Sequence, residues 1–160
     1  MNETGELCLT INIDVENTAF TPTQDQVELW ISKTLFAGLP EDSPYLQHAE
    51  LSITLLTAEA MAQLNKDYRN KDKTTNVLSF PTDFPEELAV PLLGDIIICP
   101  GVLENEAQEQ NKTLESHWAH LCIHGCLHLL GFDHTIDKEA EIMESLETKI
   151  MLSLNYPAPY

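Results

Sequence analysis

The chain has 160 residues, 43% of them hydrophobic and 21% charged, enough for one globular domain spanning residues 1–160 whose core needs no disulfide staples. Eight Lys and Arg against 26 Asp and Glu leave a net charge of −18. That surface argues against a generic DNA-binding face and against docking on anionic membranes, so an anionic ligand must be gripped by a local patch or a metal. Residues 1–6, MNETGE, show no basic segment ahead of an apolar run, and no apolar stretch reaches the ~18 residues of a membrane span. A cytoplasmic location is expected, with Cys8, Cys99, Cys122 and Cys126 as free, buried thiols.

Leu7, Leu9, Ile11 and Ile13 alternate with polar or small residues as in a half-buried strand. Thr21, three residues before Gln24, fits a capping box with Pro22 at the first helical position. The helix it opens has the inner stripe Val27, Trp30, Ile31, Thr34, Leu35 and is stopped by Gly38 and Pro40. Leu51, Ile53 and Leu55 alternate as a second strand. Thr57 caps a helix reaching about Tyr68, with Met61, Leu64 and Tyr68 on one side. Residues 76–81 (NVLSFP) read as a short strand, residues 82–92 as a proline-broken loop, and residues 95–99 (DIIIC) as a central strand. From Pro100 the chain is helical, interrupted near residues 111–113. A helix from about Leu114 to Leu130 ends at Gly131. The last helix starts near Asp137 with the stripe Ile136, Ala140, Met143, Leu146, Ile150, Leu154. This order predicts an α+β fold with α/β-type crossovers: a small mixed sheet of about four strands, helices on its faces, and a parallel first crossover.

Five of the six histidines, His117, His120, His124, His128 and His134, lie within eighteen residues. The first four fall within about 40° of His124 on one helix face. His120/His124 and His124/His128 are both i,i+4 pairs, and either could put two imidazoles on one ion. Gly131 and His134 break the tie. A glycine at φ > 0 just past the helix turns the chain back, and His134 then points at the site made by His124 and His128. Three neutral imidazoles leave a fourth position open, the layout of a catalytic zinc, one per chain. The spacing is that of the metzincin string H-E-x-x-H-x-x-G-x-x-H, except that Gly125 stands where those proteases keep a general-base Glu. A lone H-x-x-x-H is most often two ordinary histidines; the third His past a helix-ending Gly favours the metal. His117 and His120 are expected to pack or to support the site, and Cys122 and Cys126 to face the core. Asp133 is placed to orient the His134 imidazole. Met143 follows at the distance of a metzincin methionine, but the apolar stripe already explains it as core.

Four of the eight basic residues lie in Lys66-Asp67-Tyr68-Arg69-Asn70-Lys71-Asp72-Lys73, against two aspartates. The window holds the sole arginine, whose planar fork matches a phosphate. A solvated helix end accounts for such a window by itself. Beside a hydrolytic metal it points to a phosphodiester substrate with Arg69 as the phosphate clamp.

Three blocks together resemble the YbeY family of bacterial metal-dependent endoribonucleases. They are His124-Gly125-x-Leu127-His128-Leu129-x-Gly131-x-Asp133-His134, then Leu64-Asn65-x-x-Tyr68-Arg69 with Lys71-Asp72-x-x-Thr75-Asn76-Val77-Leu78-Ser79-Phe80-Pro81, and Gly94-Asp95-Ile96. Asn76 stands where many members have Asp. The resemblance implies single-strand-specific RNA cleavage in ribosomal RNA maturation and ribosome quality control. It also implies zinc on His124, His128 and His134, a functional Arg69, and association with the small ribosomal subunit. Two other functions share the ligands. A metzincin-like peptidase lacks its Glu at 125, and a non-enzymatic zinc-containing ribosome-assembly factor has no use for an open fourth position. No general base is evident, and Asp95 has no assigned place beyond the sheet.

Overall fold

Alternating apolar residues build the sheet. A computed structural model describes residues 6–13, 21–69, 76–82, 91–133 and 135–160. Its strands are β1 (Glu6–Ile13), β2 (His48–Leu55), β3 (Val77–Pro81) and β4 (Leu92–Ile98), in the sheet order β1-β2-β4-β3. β1, β2 and β4 run parallel; β3 returns antiparallel to β4 at the edge. The apolar run of β4 thus sits in the sheet interior, as a strand needing cover on both faces should. Residues 83–90 of the expected 82–92 loop lie outside the described residues.

The described residues form five α-helices: α1 (Gln24–Gly38), α2 (Ala58–Arg69), α3 (Pro100–Glu109), α4 (Leu114–Leu129) and α5 (Asp137–Ser153), the last packed on α1 and α4. Leu51, Ile53, Leu55, Ile96 and Ile98 point to one face and join Trp30 and Ile31 of α1 and Ile123 and Leu127 of α4 in the main core. Leu78, Ile97 and Phe80 point to the other face, where Met61 of α2 covers them. Cys8 is on the exposed side of β1, so only three of the four expected buried thiols are buried. The strand alternation that turns Leu7 and Leu9 towards the core turns Cys8 to water.

α1 starts two residues later than the first T-x-x-Q spacing suggested. The capping box is Thr23 with Gln26, each bonding the other's backbone N–H, not Thr21 with Gln24. In TPTQDQ both spacings exist. The later one puts Asp25 in the first turn, where the helix dipole favours it, and leaves buried Pro22 at the position that staples onto Val27. The expected stripe Val27, Trp30, Ile31, Thr34, Leu35 is the buried one.

α4 is the central pillar. Thr113 caps it by accepting from Ser116 N–H. At its other end Gly131, at φ 101°, lets Gly131 N–H reach His128 O and Phe132 N–H reach Leu127 O, the paired bonds of a Schellman stop. A methyl on Gly38 would stand 3.0 Å from Leu130 Cδ1 and 3.2 Å from Leu127 Cδ2, so the end of α1 presses against the last turn of α4. Cys122 and Cys126 are fully buried in the core; burial pushes the Cys122 thiol up to about 12 and Cys126 further, so neither is a thiolate.

Of the expected α5 stripe, Met143 and Ile150 are buried and Leu146 and Leu154 pack against the core; Glu147 and Met151 are buried beside them, outside that stripe. Ile136 is 58% exposed because it is the N-cap, outside the helix. Met143 is an ordinary core methionine, 1% exposed. Met143→Leu is expected to cost less than about 1.5 kcal/mol in urea unfolding and to leave metal affinity within tenfold of wild type.

Gly94 is the tightest point of the sheet. It has φ 147° beside the register shift between β2 and β4, and a Cβ there would lie 2.3 Å from Phe80 O. Backbone strain and backbone clash act together, so Gly94→Ala is expected to lose about 3 kcal/mol or more, read from the denaturation midpoint.

Candidate metal centre

The four histidines of α4 form a row at one edge of the helix, with ring centroids 6.4, 6.1 and 4.6 Å apart from His117 to His128. The i,i+3 and i,i+4 spacing puts them there, and the core packing of the opposite face of α4 holds them. The last two bring ring nitrogens together: His124 Nε2 and His128 Nε2 are 3.2 Å apart. Two imidazoles on a tetrahedral ion at ~2.05 Å have their nitrogens about 3.3 Å apart, a separation close to that of this pair.

Behind them stands Glu147, 0% exposed and absent from the sequence-derived site. Its carboxylate accepts from His120 Nε2 at 2.6 Å, His124 Nδ1 at 2.8 Å and the Tyr160 hydroxyl at 2.6 Å. Burial pushes its pKa up, but the hydrogen bonds from His120, His124 and Tyr160 outweigh that and hold it at about 2. The ligating atoms of His120, His124 and Glu147 lie within 4.8 Å of one another and could themselves hold a metal ion. A second such group among the described residues, Cys8, His48 and Glu50, is on the open face of β1 and β2; there both ring nitrogens of His48 are engaged by Glu6 and Glu50.

His117 is separate. It is buried and bonds Glu106 at 2.8 Å, and burial lowers its pKa despite that carboxylate. Asn76 Nδ2 donates to both Glu106 oxygens, at 3.2 and 3.3 Å. An Asp at 76 would set two carboxylates against each other, which gives a physical reason for Asn in this chain. Asn76, Glu106, His117, His120, His124 and Tyr160 line an open cleft of about 380 Å³.

The other expected site residues are placed less completely. Asp133 is exposed, two residues beyond Gly131. His134 lies outside the described residues. Arg69 is the last residue of α2, the helix that packs through Met61 and Leu64 on the other sheet face; its side chain and residues 70–75 lie outside what is described. Asp95 takes a hydrogen bond from Ser52 on that same far face, away from the histidines. Gly125 packs directly on the sheet: a Cβ would meet Ile96 at 3.0 Å and Ser79 Oγ at 3.2 Å, and Ser79 donates to Gly125 O at 2.9 Å. A glutamate there would start from a Cβ already crowded by Ile96, Ser79 and Val77, so the close packing of α4 on β3 and β4 suits the glycine that replaces the metzincin Glu.

No helix among the described residues is long and apolar enough to cross a membrane. The solution structure of TM1509 from Thermotoga maritima shares the fold, with a TM-score of 0.56 over 94% of this chain and 92% of that one at 22% identity. The family model for endoribonuclease YbeY matches residues 12–155, and these residues carry β2, β3, β4 and the histidine helix. The chain belongs to the endoribonuclease YbeY family.

Proposed function

We propose that residues 1–160 form a single metal-dependent hydrolase domain, a zinc-dependent endoribonuclease that cuts single-stranded RNA. The observation that carries this is the pair of α4 imidazole nitrogens at 3.2 Å in a member of an endoribonuclease family. His124 and His128 would hold the ion, with His134 as third ligand and Asp133 orienting His134. Bound there, zinc supplies Lewis-acid polarisation of a phosphoryl oxygen and makes water more acidic.

The chain's own groups supply position and charge. α4, fixed by its core face and by the Schellman stop, keeps the two imidazoles converged. Arg69 grips the scissile phosphate through its planar fork and stabilises the charge that builds on its oxygens. With a net charge of −18, the chain offers RNA few other cations, so productive binding rests on the window around Arg69. Family membership supports work in ribosomal RNA maturation and ribosome quality control, association with the small ribosomal subunit, and a cytoplasmic location. The packing of Gly125 on the sheet counts against the peptidase reading, which needs a glutamate there.

Incubation with single-stranded RNA, duplex RNA and casein, each with and without a chelator, tests the assignment. Chelator-sensitive cleavage of the single strand alone is expected. Casein cleavage would instead establish a peptidase, and inertness of the zinc-loaded protein towards all three an assembly factor.

A further inference from the structure

The donors around Glu147 are arranged unequally. Oε1 takes two, His120 Nε2 and the Tyr160 hydroxyl, both at 2.6 Å, whereas Oε2 faces His124 Nδ1 at 2.8 Å. An ionised carboxylate only accepts, so each imidazole nitrogen facing it carries a hydrogen. For His124 this leaves the lone pair on Nε2, the atom that faces His128 Nε2. His120 approaches through the other ring nitrogen and leaves its own Nδ1 buried without a hydrogen-bond partner, so its geometry serves Glu147. The Tyr160 ring stands edge-on to His120 at 5.4 Å, and Lys112 Nζ donates to Pro159 O at 3.2 Å, which ties this segment over the carboxylate.

We propose that Glu147 is the positioning residue of the metal centre: anchored by His120 and Tyr160, it fixes His124 as the Nδ1–H tautomer and so aims the Nε2 lone pair at the ion. This rests on the reading that His124 and His128 hold that ion. Carboxylates that orient a ligating histidine in this way typically account for 10–100-fold in metal affinity.

The test reads the tautomer directly and needs no activity assay. Long-range proton–nitrogen spectra of the metal-free protein distinguish Nδ1–H from Nε2–H imidazoles, with the His124 signals assigned by their loss in His124→Ala. Nδ1–H is expected for His124 in the wild type. In Glu147→Gln the amide oxygen turns to the side with two donors and its NH2 to His124 Nδ1. His124 is then driven to the Nε2–H form, and zinc affinity, measured by competition with a chromophoric chelator, falls about 10–100-fold. A merely structural tie between α4 and α5 would not move the tautomer. An Nε2–H His124 in the wild type overturns the proposal, because Nδ1 would then ligate with Glu147 beside it on the ion. So does a folded Glu147→Gln with unchanged tautomer and affinity. Should Glu147→Gln fail to fold, the wild-type tautomer still decides. Failure of the underlying metal reading looks different: His124→Ala would then keep its zinc whatever the tautomer.

Discussion

His124→Ala and His128→Ala are each expected to lose tight zinc binding and, with it, cleavage of single-stranded RNA. Each removes one of two nitrogens that converge at 3.2 Å. Two imidazoles then remain, one on α4 and His134, and hold the ion far less tightly than three, so the loss should exceed the ~100-fold upper range for removing an outer partner. His117→Ala is the control. It lies on the same helix face but bonds Glu106. Its loss takes one donor from Glu106, which keeps that of Asn76, and should cost about 1–3 kcal/mol of stability while zinc binding stays within a few-fold. Equal metal loss in all three variants would show that helix integrity, not ligation, sets the affinity.

Arg69 is expected to matter second most. It is the only guanidinium in the chain. Arg69→Lys keeps the charge but loses the two-pronged fork, and should cleave single-stranded RNA at least tenfold more slowly with fold and zinc intact. Arg69→Ala should cost more, ~2.7–4 kcal/mol of transition-state stabilisation or roughly 10²–10³ in rate. A basic window can also attract RNA through charge alone, so KM and kcat are to be separated; the clamp predicts that the loss falls on kcat. Full cleavage by a folded, zinc-loaded Arg69→Ala protein would leave the basic window as a solvated helix end.

Local rules made most of the fold legible. The alternation of Leu51, Ile53 and Leu55, the apolar run in β4 and the glycine past α4 each state a strand or a stop within a few residues. The capping box was displaced because two T-x-x-Q spacings overlap, and only packing of Pro22 and Val27 separates them. In the candidate site, the His124/His128 pair was legible because both residues share one helix face. Glu147 was not. Its partners His120 and His124 stand 27 and 23 residues away on another helix, and a glutamate among apolar neighbours reads as a break in the stripe. One signal was present: position 147 is four residues after Met143 and three before Ile150, inside the face that must be buried. A charged residue at such a position needs a buried partner, and four histidines in a row are the obvious supply.

Titration of metal-free protein with Zn²⁺, reading cleavage of single-stranded RNA, tests the central claim most directly. Cleavage is expected to be absent at the start, to rise linearly and to saturate at one equivalent per chain, the number of ions that one converged histidine site holds. Full cleavage by the metal-free protein, or zinc bound tightly at one equivalent with no cleavage at all, would contradict the account.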